Sequence, residues 1–183
     1  MLPVPQQQAD GIMRGKARTW RIAPFGLALL APLFLGFAPP SGFDERVLDA
    51  QNRERTPLGI EPLQWSDDLA SEAQGWADYL ASTGQFRHAE RHLRKGQGEN
   101  LWAGTRGAYS LDEMVDAWAR EKRYMKPGPF PHDEASIAAV GHYTQIVWRD
   151  TNEVGCAMAR GRVLDVLVCR YRNPGNVRGA IPY

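Results

Sequence analysis

The chain has 183 residues, of which 43% are hydrophobic and 23% charged, with a formal net charge of +1. That length accommodates one domain with a real core and is short for two. The composition is that of an ordinary globular protein, and the charge balance gives no hint of a nucleic-acid partner.

In chain order, residues 1–40 read as an N-terminal export signal or anchor, and residues 41–183 as one domain. Arg14, Lys16, Arg18 and Arg21 precede an uncharged apolar run, Ile22 to Ala38, which then meets Pro39-Pro40-Ser41-Gly42. Pro24, Gly26, Pro32 and Gly36 interrupt the run, and it is short for a membrane span. Gly36-Phe37-Ala38 offers a small-residue cleavage site, although Pro39 just after it disfavours cleavage there; a retained anchor is the alternative. No cysteine follows the run, which excludes a lipoprotein anchor, and Met13 is an alternative start. The first 38 residues hold four of the 22 basic and one of the 21 acidic residues, leaving 18 against 20 and a net charge of −2 beyond them.

Phe43, Val47 and Ala50 recur at helical spacing, with Ser41 as the expected N-cap and Asp44 three residues on. Pro57 and Pro62 bracket a connection. A second helix follows Ser66, its apolar stripe formed by Leu69, Ala73, Trp76, Ala77 and Leu80. Gln97–Ala103 reads as a strand. Ser110 and Glu113 form a capping box for a third helix, on which Met114, Ala117, Trp118 and Glu121 share a face. Residues 125–140 read as a long loop, and Tyr143–Trp148 as a short buried strand of aromatic and β-branched residues opened by His142. Val154–Arg160 and Val163–Tyr171, separated by Gly161-Arg162, read as a hairpin. Early helices, a late hairpin and a mixed sheet between them predict an α+β sandwich.

Cys156 and Cys169 are the two cysteines, and the hairpin sets them roughly opposite each other. In an oxidising compartment they would form one disulfide; buried free thiols are the alternative. Glu121 occupies the apolar stripe of its helix, where a carboxylate is normally avoided, unless the helix frays and the side chain turns to water. Glu99 interrupts an otherwise apolar, glycine-flanked strand, so it needs a partner or faces solvent from an edge. The four histidines are His88, His92, His132 and His142, and spacing alone does not bring any of them together.

Gly141-His142-Tyr143-Thr144-Gln145-Ile146-Val147-Trp148 resembles the first signature of the CAP superfamily, the cysteine-rich secretory, antigen 5 and pathogenesis-related group one proteins. Val166-Leu167-Val168-Cys169-Arg170-Tyr171-Arg172-Asn173-Pro174-Gly175-Asn176-Val177 is similar to the second signature, Gly98-Glu99-Asn100-Leu101 to the third, and the segment around His88 to the fourth. The resemblance covers roughly residues 43–179, in the expected order, and is that of a bacterial-type SCP-domain protein. It implies a three-layer α-β-α sandwich with a central cleft carrying two histidines and two acids, which map onto His88, Glu99, Glu121 and His142. Gln51-Asn52 stands where the family often has His-Asn, and His92 rivals His88 for the first histidine.

The resemblance further implies a secreted or periplasmic monomer with a divalent metal such as zinc at His88 and His142, joined or not by Glu99 and Glu121. The same groups could form a hydrogen-bonded network without metal. Implied partners are a small ligand, a sterol or other lipid, or an extracellular protein. The surfaces for them would be Tyr124–Ala135 and the basic His88–Lys95 segment, the latter also readable as a solvated loop. A metal- or Glu/His-dependent extracellular hydrolase is the alternative to a binding module.

Overall fold

The computed structural model describes residues 42–131 and 133–183. The predicted leader, Ser41 and His132 lie outside the described residues. Helix α1 (Phe43–Arg55) starts from Gly42, which takes the N-cap position at φ +84°, a backbone state glycine adopts without penalty. Its buried face is Phe43, Val47, Ala50, Gln51 and Arg55. A 3-10 turn (Thr56–Leu58) leads to the two-residue strand β1 (Gln64–Trp65) and then to α2 (Asp67–Thr83). Ser66 caps α2 by accepting from the Leu69 N–H, and the stripe Leu69, Ala73, Trp76, Ala77 and Leu80 is buried as predicted.

A single-turn helix α3 (Arg91–Arg94) precedes strand β2 (Gly98–Thr105). Helix α4 (Leu111–Ala119) begins with the predicted capping box, in which Ser110 accepts from Glu113 N–H and the Glu113 carboxylate accepts from Ser110 N–H. Its α-helical turns stop before Glu121, which sits instead on a 3-10 helix (Arg120–Tyr124). The hairpin is present as β3 (Glu153–Arg160) and β4 (Leu164–Arg172). Cys156 and Cys169 are register partners joined by a disulfide.

The N-cap of α1 is Gly42 and not the expected Ser41, and the largest departure lies further along the chain. Residues 143–148 are not a strand but mainly the end of α5 (Glu134–Ile146), which also claims residues 134–140 of the expected loop. A short apolar run is compatible with either a strand or a buried helix, and tertiary packing decides. Here Asp133 caps the helix through Ser136 N–H at 2.8 Å, and Thr144 Oγ1 lies 3.0 Å from Val140 O within the helix and 2.6 Å from Asn176 Oδ1 beyond it. Val140, Tyr143 and Ile146 are buried, as are Thr144 and Gln145.

The sheet order is β1-β3-β4-β2, with β1 parallel to β3 and the other pairs antiparallel. Helix α2 covers one face, packing Ala73, Ala77 and Leu80 with Leu101, Ala157, Val166 and Val168. Helices α1, α4 and α5 cover the other, where Val47, Met114, Trp118 and Ile146 meet Val154, Leu167 and Tyr171. Every residue from Asp165 to Tyr171 is buried, as a strand covered on both faces requires. The result is the expected three-layer α-β-α sandwich.

Candidate functional site

Edge strand β2 carries two consecutive polar residues that side-chain alternation sends to opposite faces of the sheet. On the α2 face, the Glu99 side chain is fully buried. Its Oε1 lies 2.6 Å from His88 Nδ1 and accepts the Ala89 N–H at 3.0 Å. Its Oε2 lies 3.0 Å from Arg170 Nη2. Arg170 is register partner to Glu99 on β4, and burial pulls its guanidinium below the ordinary value while Glu99 opposes that shift. On the other face, Asn100 Nδ2 donates to the His142 carbonyl at 3.1 Å and to Tyr171 Oη at 3.1 Å.

Glu121 reaches α5 because its backbone has left the α4 helix for the 3-10 turn. Its Oε1 lies 2.6 Å from His142 Nδ1, and its Oε2 accepts the N–H groups of His142 at 2.9 Å and Tyr143 at 3.0 Å. Trp118 stacks on the His142 ring at 6.0 Å between centroids, and its indole N–H is held by Leu101 O at 3.1 Å. The start of β2 lies against α5, because a Cβ on Gly98 would stand 2.2 Å from Gln145 Oε1. Gln145 itself is anchored by Gly175 N–H and Thr151 Oγ1.

The structure thus pairs His88 with Glu99 and His142 with Glu121. His92, on α3, is 3.4 Å from exposed Glu90 at the N-cap of that helix and joins neither pair. Carboxylates only accept, so each histidine places its proton on Nδ1 and leaves Nε2 without a protein partner among the described residues. The imidazoles are 56% and 32% exposed above carboxylates that are 0% and 17% exposed. That is the carboxylate–histidine arrangement that orients metal ligands. Among the described residues no three His, Cys, Asp or Glu side chains cluster around a single point. The glutamate oxygens are occupied by ring and backbone N–H groups and by Arg170. What each pair leaves free for a ligand is one imidazole Nε2, with the glutamate holding the ring.

The roles of Arg170, Trp118 and Asn100 at the site were not read from the sequence, although the first had a signal. Arg170 is a charged residue in an apolar strand, as Glu99 is, and such residues tend to be each other's partners. Gln51, which replaces the family's frequent histidine, is buried, accepts the Tyr171 hydroxyl at 2.9 Å and rests its amide 3.8 Å from both disulfide sulfurs.

Residues 48–171 match the Cysteine-rich secretory protein family, CAP. Pathogenesis-related protein 1A of Nicotiana tabacum is 39% identical over 140 residues, covering 74% of this chain and 78% of that protein. Pathogenesis-related protein 1 of Arabidopsis thaliana is 33% identical over 138 residues, covering 74% and 80%. These relatives are plant proteins and lend the bacterial-type expectation no support. Among solved structures, NaASP2 with Zn2+ superposes with a TM-score of 0.69 at 20% identity, covering 79% of this chain and 86% of that one. BmVAL-1 superposes at 0.67 with 23% identity, covering 81% and 85%. With a family match across most of its length and plant relatives above 30% identity, this chain belongs to the CAP superfamily.

Proposed function

We propose that this chain is an extracytoplasmic binding module that holds a divalent metal, zinc foremost, through His88 Nε2 and His142 Nε2. The observation that supports this reading is that both rings are fixed at Nδ1 by glutamates, 2.6 Å away in each pair, while Nε2 is left over. Glu99 and Glu121 orient the rings by accepting the Nδ1 protons. The basic and apolar leader fits export, and the family takes its name from secretory proteins. NaASP2, which shares the fold, has been solved with Zn2+. When bound, zinc would supply a Lewis acid with positions open to water or a ligand. Both thiols are joined in the disulfide, so covalent catalysis through a cysteine is closed to this chain.

The test is zinc titration of chelator-treated protein by calorimetry. Wild type should bind one ion, while His88→Ala and His142→Ala abolish binding and Glu121→Gln weakens it about 10- to 100-fold. Equal zinc binding by wild type and both histidine variants would sink the assignment.

A second ligand class is favoured by an apolar cavity of about 450 Å³, lined by Met125, Phe130, Ala139, Val140 and prolines of the 127–131 segment. Its size and lining suit a sterol or similar lipid. A fluorescent sterol should bind wild type and lose affinity in Val140→Asp; unchanged affinity would reject this cavity.

A further inference from the structure

At the end of the sheet where β3 turns into β4, three large apolar side chains stand in water. Val163 is 69% exposed, Phe86 54% and Leu164 37%. Clustered surface hydrophobes of this kind mark contact surfaces more often than isolated ones do. They are not on a loose loop. Gly161 N–H donates to Leu164 O at 2.8 Å, and Arg106 N–H donates to Val163 O at 2.9 Å. Arg106 Nη1 also reaches Gly161 O at 3.4 Å, so the strand end beside the turn holds it and keeps Val163 pointed outward.

The same end is strongly basic. Arg106, Arg160 and Arg162 are exposed, and none of them forms an ion pair among the described residues. All three border a groove of about 820 Å³ in which Asp78 is the single acidic lining residue. The last turn of α2 also borders the groove, but the partial negative charge of a helix end is about half a unit and is outweighed by three guanidinium groups. The groove floor, with Leu80, Ala103, Ala159 and Val166, is apolar. Arginines surrounding a rigid apolar tip match the chemistry of an anionic bilayer: phosphates for the guanidinium forks, and the acyl boundary for the aliphatic and aromatic side chains.

We propose that the β3–β4 hairpin end, with Phe86, Val163 and Leu164 framed by Arg106, Arg160 and Arg162, docks onto an anionic lipid bilayer. The surface shares no residue with the His–Glu pairs, so it stands or falls independently of metal binding.

Vesicle flotation of the full chain tests it, comparing pure phosphatidylcholine with about 30% phosphatidylglycerol. Wild type should float with the anionic vesicles, and binding should fall steeply with salt. Arg106→Gln/Arg160→Gln/Arg162→Gln, three exposed positions that leave the core intact, should weaken partitioning on the order of a hundredfold. Residues 1–40 carry a basic and apolar stretch of their own, so a local readout is needed. Tryptophan fluorescence of Val163→Trp should gain quenching by brominated acyl chains over the wild-type signal. No added quenching in that variant, or equal partitioning of wild type and the triple variant, would overturn the proposal. Capture of a soluble anionic amphiphile without vesicle binding would overturn it as well.

Discussion

Glu99 shows how one buried charge can organise a site. Its carboxylate has no exposed surface and answers to a ring nitrogen, a backbone N–H and the guanidinium of Arg170, itself 2% exposed. Removing one partner of a buried pair leaves the other charged and uncompensated, which costs about 3–5 kcal/mol. Glu99→Gln should therefore lose that much in urea unfolding and also free the His88 ring. Adding Arg170→Met should restore part of the stability but not zinc affinity. A loss below about 1 kcal/mol in the single variant would mean the pair is solvated. Glu72 provides a milder case with a pH signature. Its hydrogen bond from Lys95, with help from Gln97, holds the carboxyl below its ordinary value of 4.5. A depressed folded-state value means the contribution is complete above the unfolded value and is lost as pH falls through the folded one. The stability gap between wild type and Glu72→Gln should be constant near neutrality and shrink below pH 4.5. A gap that widens on acidification would contradict this. Glu99 and Glu121 were legible in the sequence as carboxylates in apolar surroundings. Their partners were not, because contacts across 71 residues of chain, as between Glu99 and Arg170, depend on strand register.

Between elements, α2 lies directly against β3 at Gly155. A Cβ there would stand 2.2 Å from Ala70 N, 2.4 Å from Ser66 O and 2.6 Å from Leu69 C. All three are backbone atoms, so no rotamer change relieves the clash. Gly155→Ala should cost about 3 kcal/mol or more in thermal or urea unfolding. Gly75→Ala, on the exposed side of the same helix with nothing within 4 Å, should instead gain about 0.5–1 kcal/mol. Similar effects at the two positions would refute the packing argument. Helices α2 and α4 were readable because their caps and stripes agree with each other. Helix α5 was not: its C-terminal half is rich in Tyr, Thr, Ile and Val, which favour strands, and its N-terminal half follows a proline-rich stretch that reads as loop. What commits it to a helix is the Asp133 cap together with Tyr143 and Ile146 meeting the sheet face. Buried Arg55 then fastens the end of α5 and the turn after it, donating to the carbonyls of Ile146, Trp148 and Thr151 at 2.8–2.9 Å. The helix start was a local signal; its extent and anchoring were tertiary.

Across the whole molecule, the order of helices and hairpin was enough to anticipate three layers, since a sheet with two apolar faces must be covered twice. Sequence alone could not reveal how the layers divide the His–Glu pairs, with Glu99 facing the α2 side and Asn100, beside it, carrying the His142 backbone on the other. The disulfide separates what holds this sandwich together from what it holds for function. Cys156 and Cys169 lie 13 residues apart across the central β3–β4 pair, beneath Gln51 of α1. Closing a loop of that length restricts the unfolded chain by about 3 kcal/mol. For a domain of this size, about 2–4 °C per kcal/mol implies a drop of roughly 6–12 °C in midpoint for Cys156→Ala/Cys169→Ala. The sulfurs' hydrogen-bond partner is the Gln51 amide and not a residue of the His–Glu pairs, so below its lower melting point the double variant should bind zinc as wild type does. Calorimetry at about 15 °C alongside a thermal melt separates the two effects. Loss of zinc binding by a fully folded double variant would mean that the covalent link positions the histidine pairs as well as stabilising the sheet.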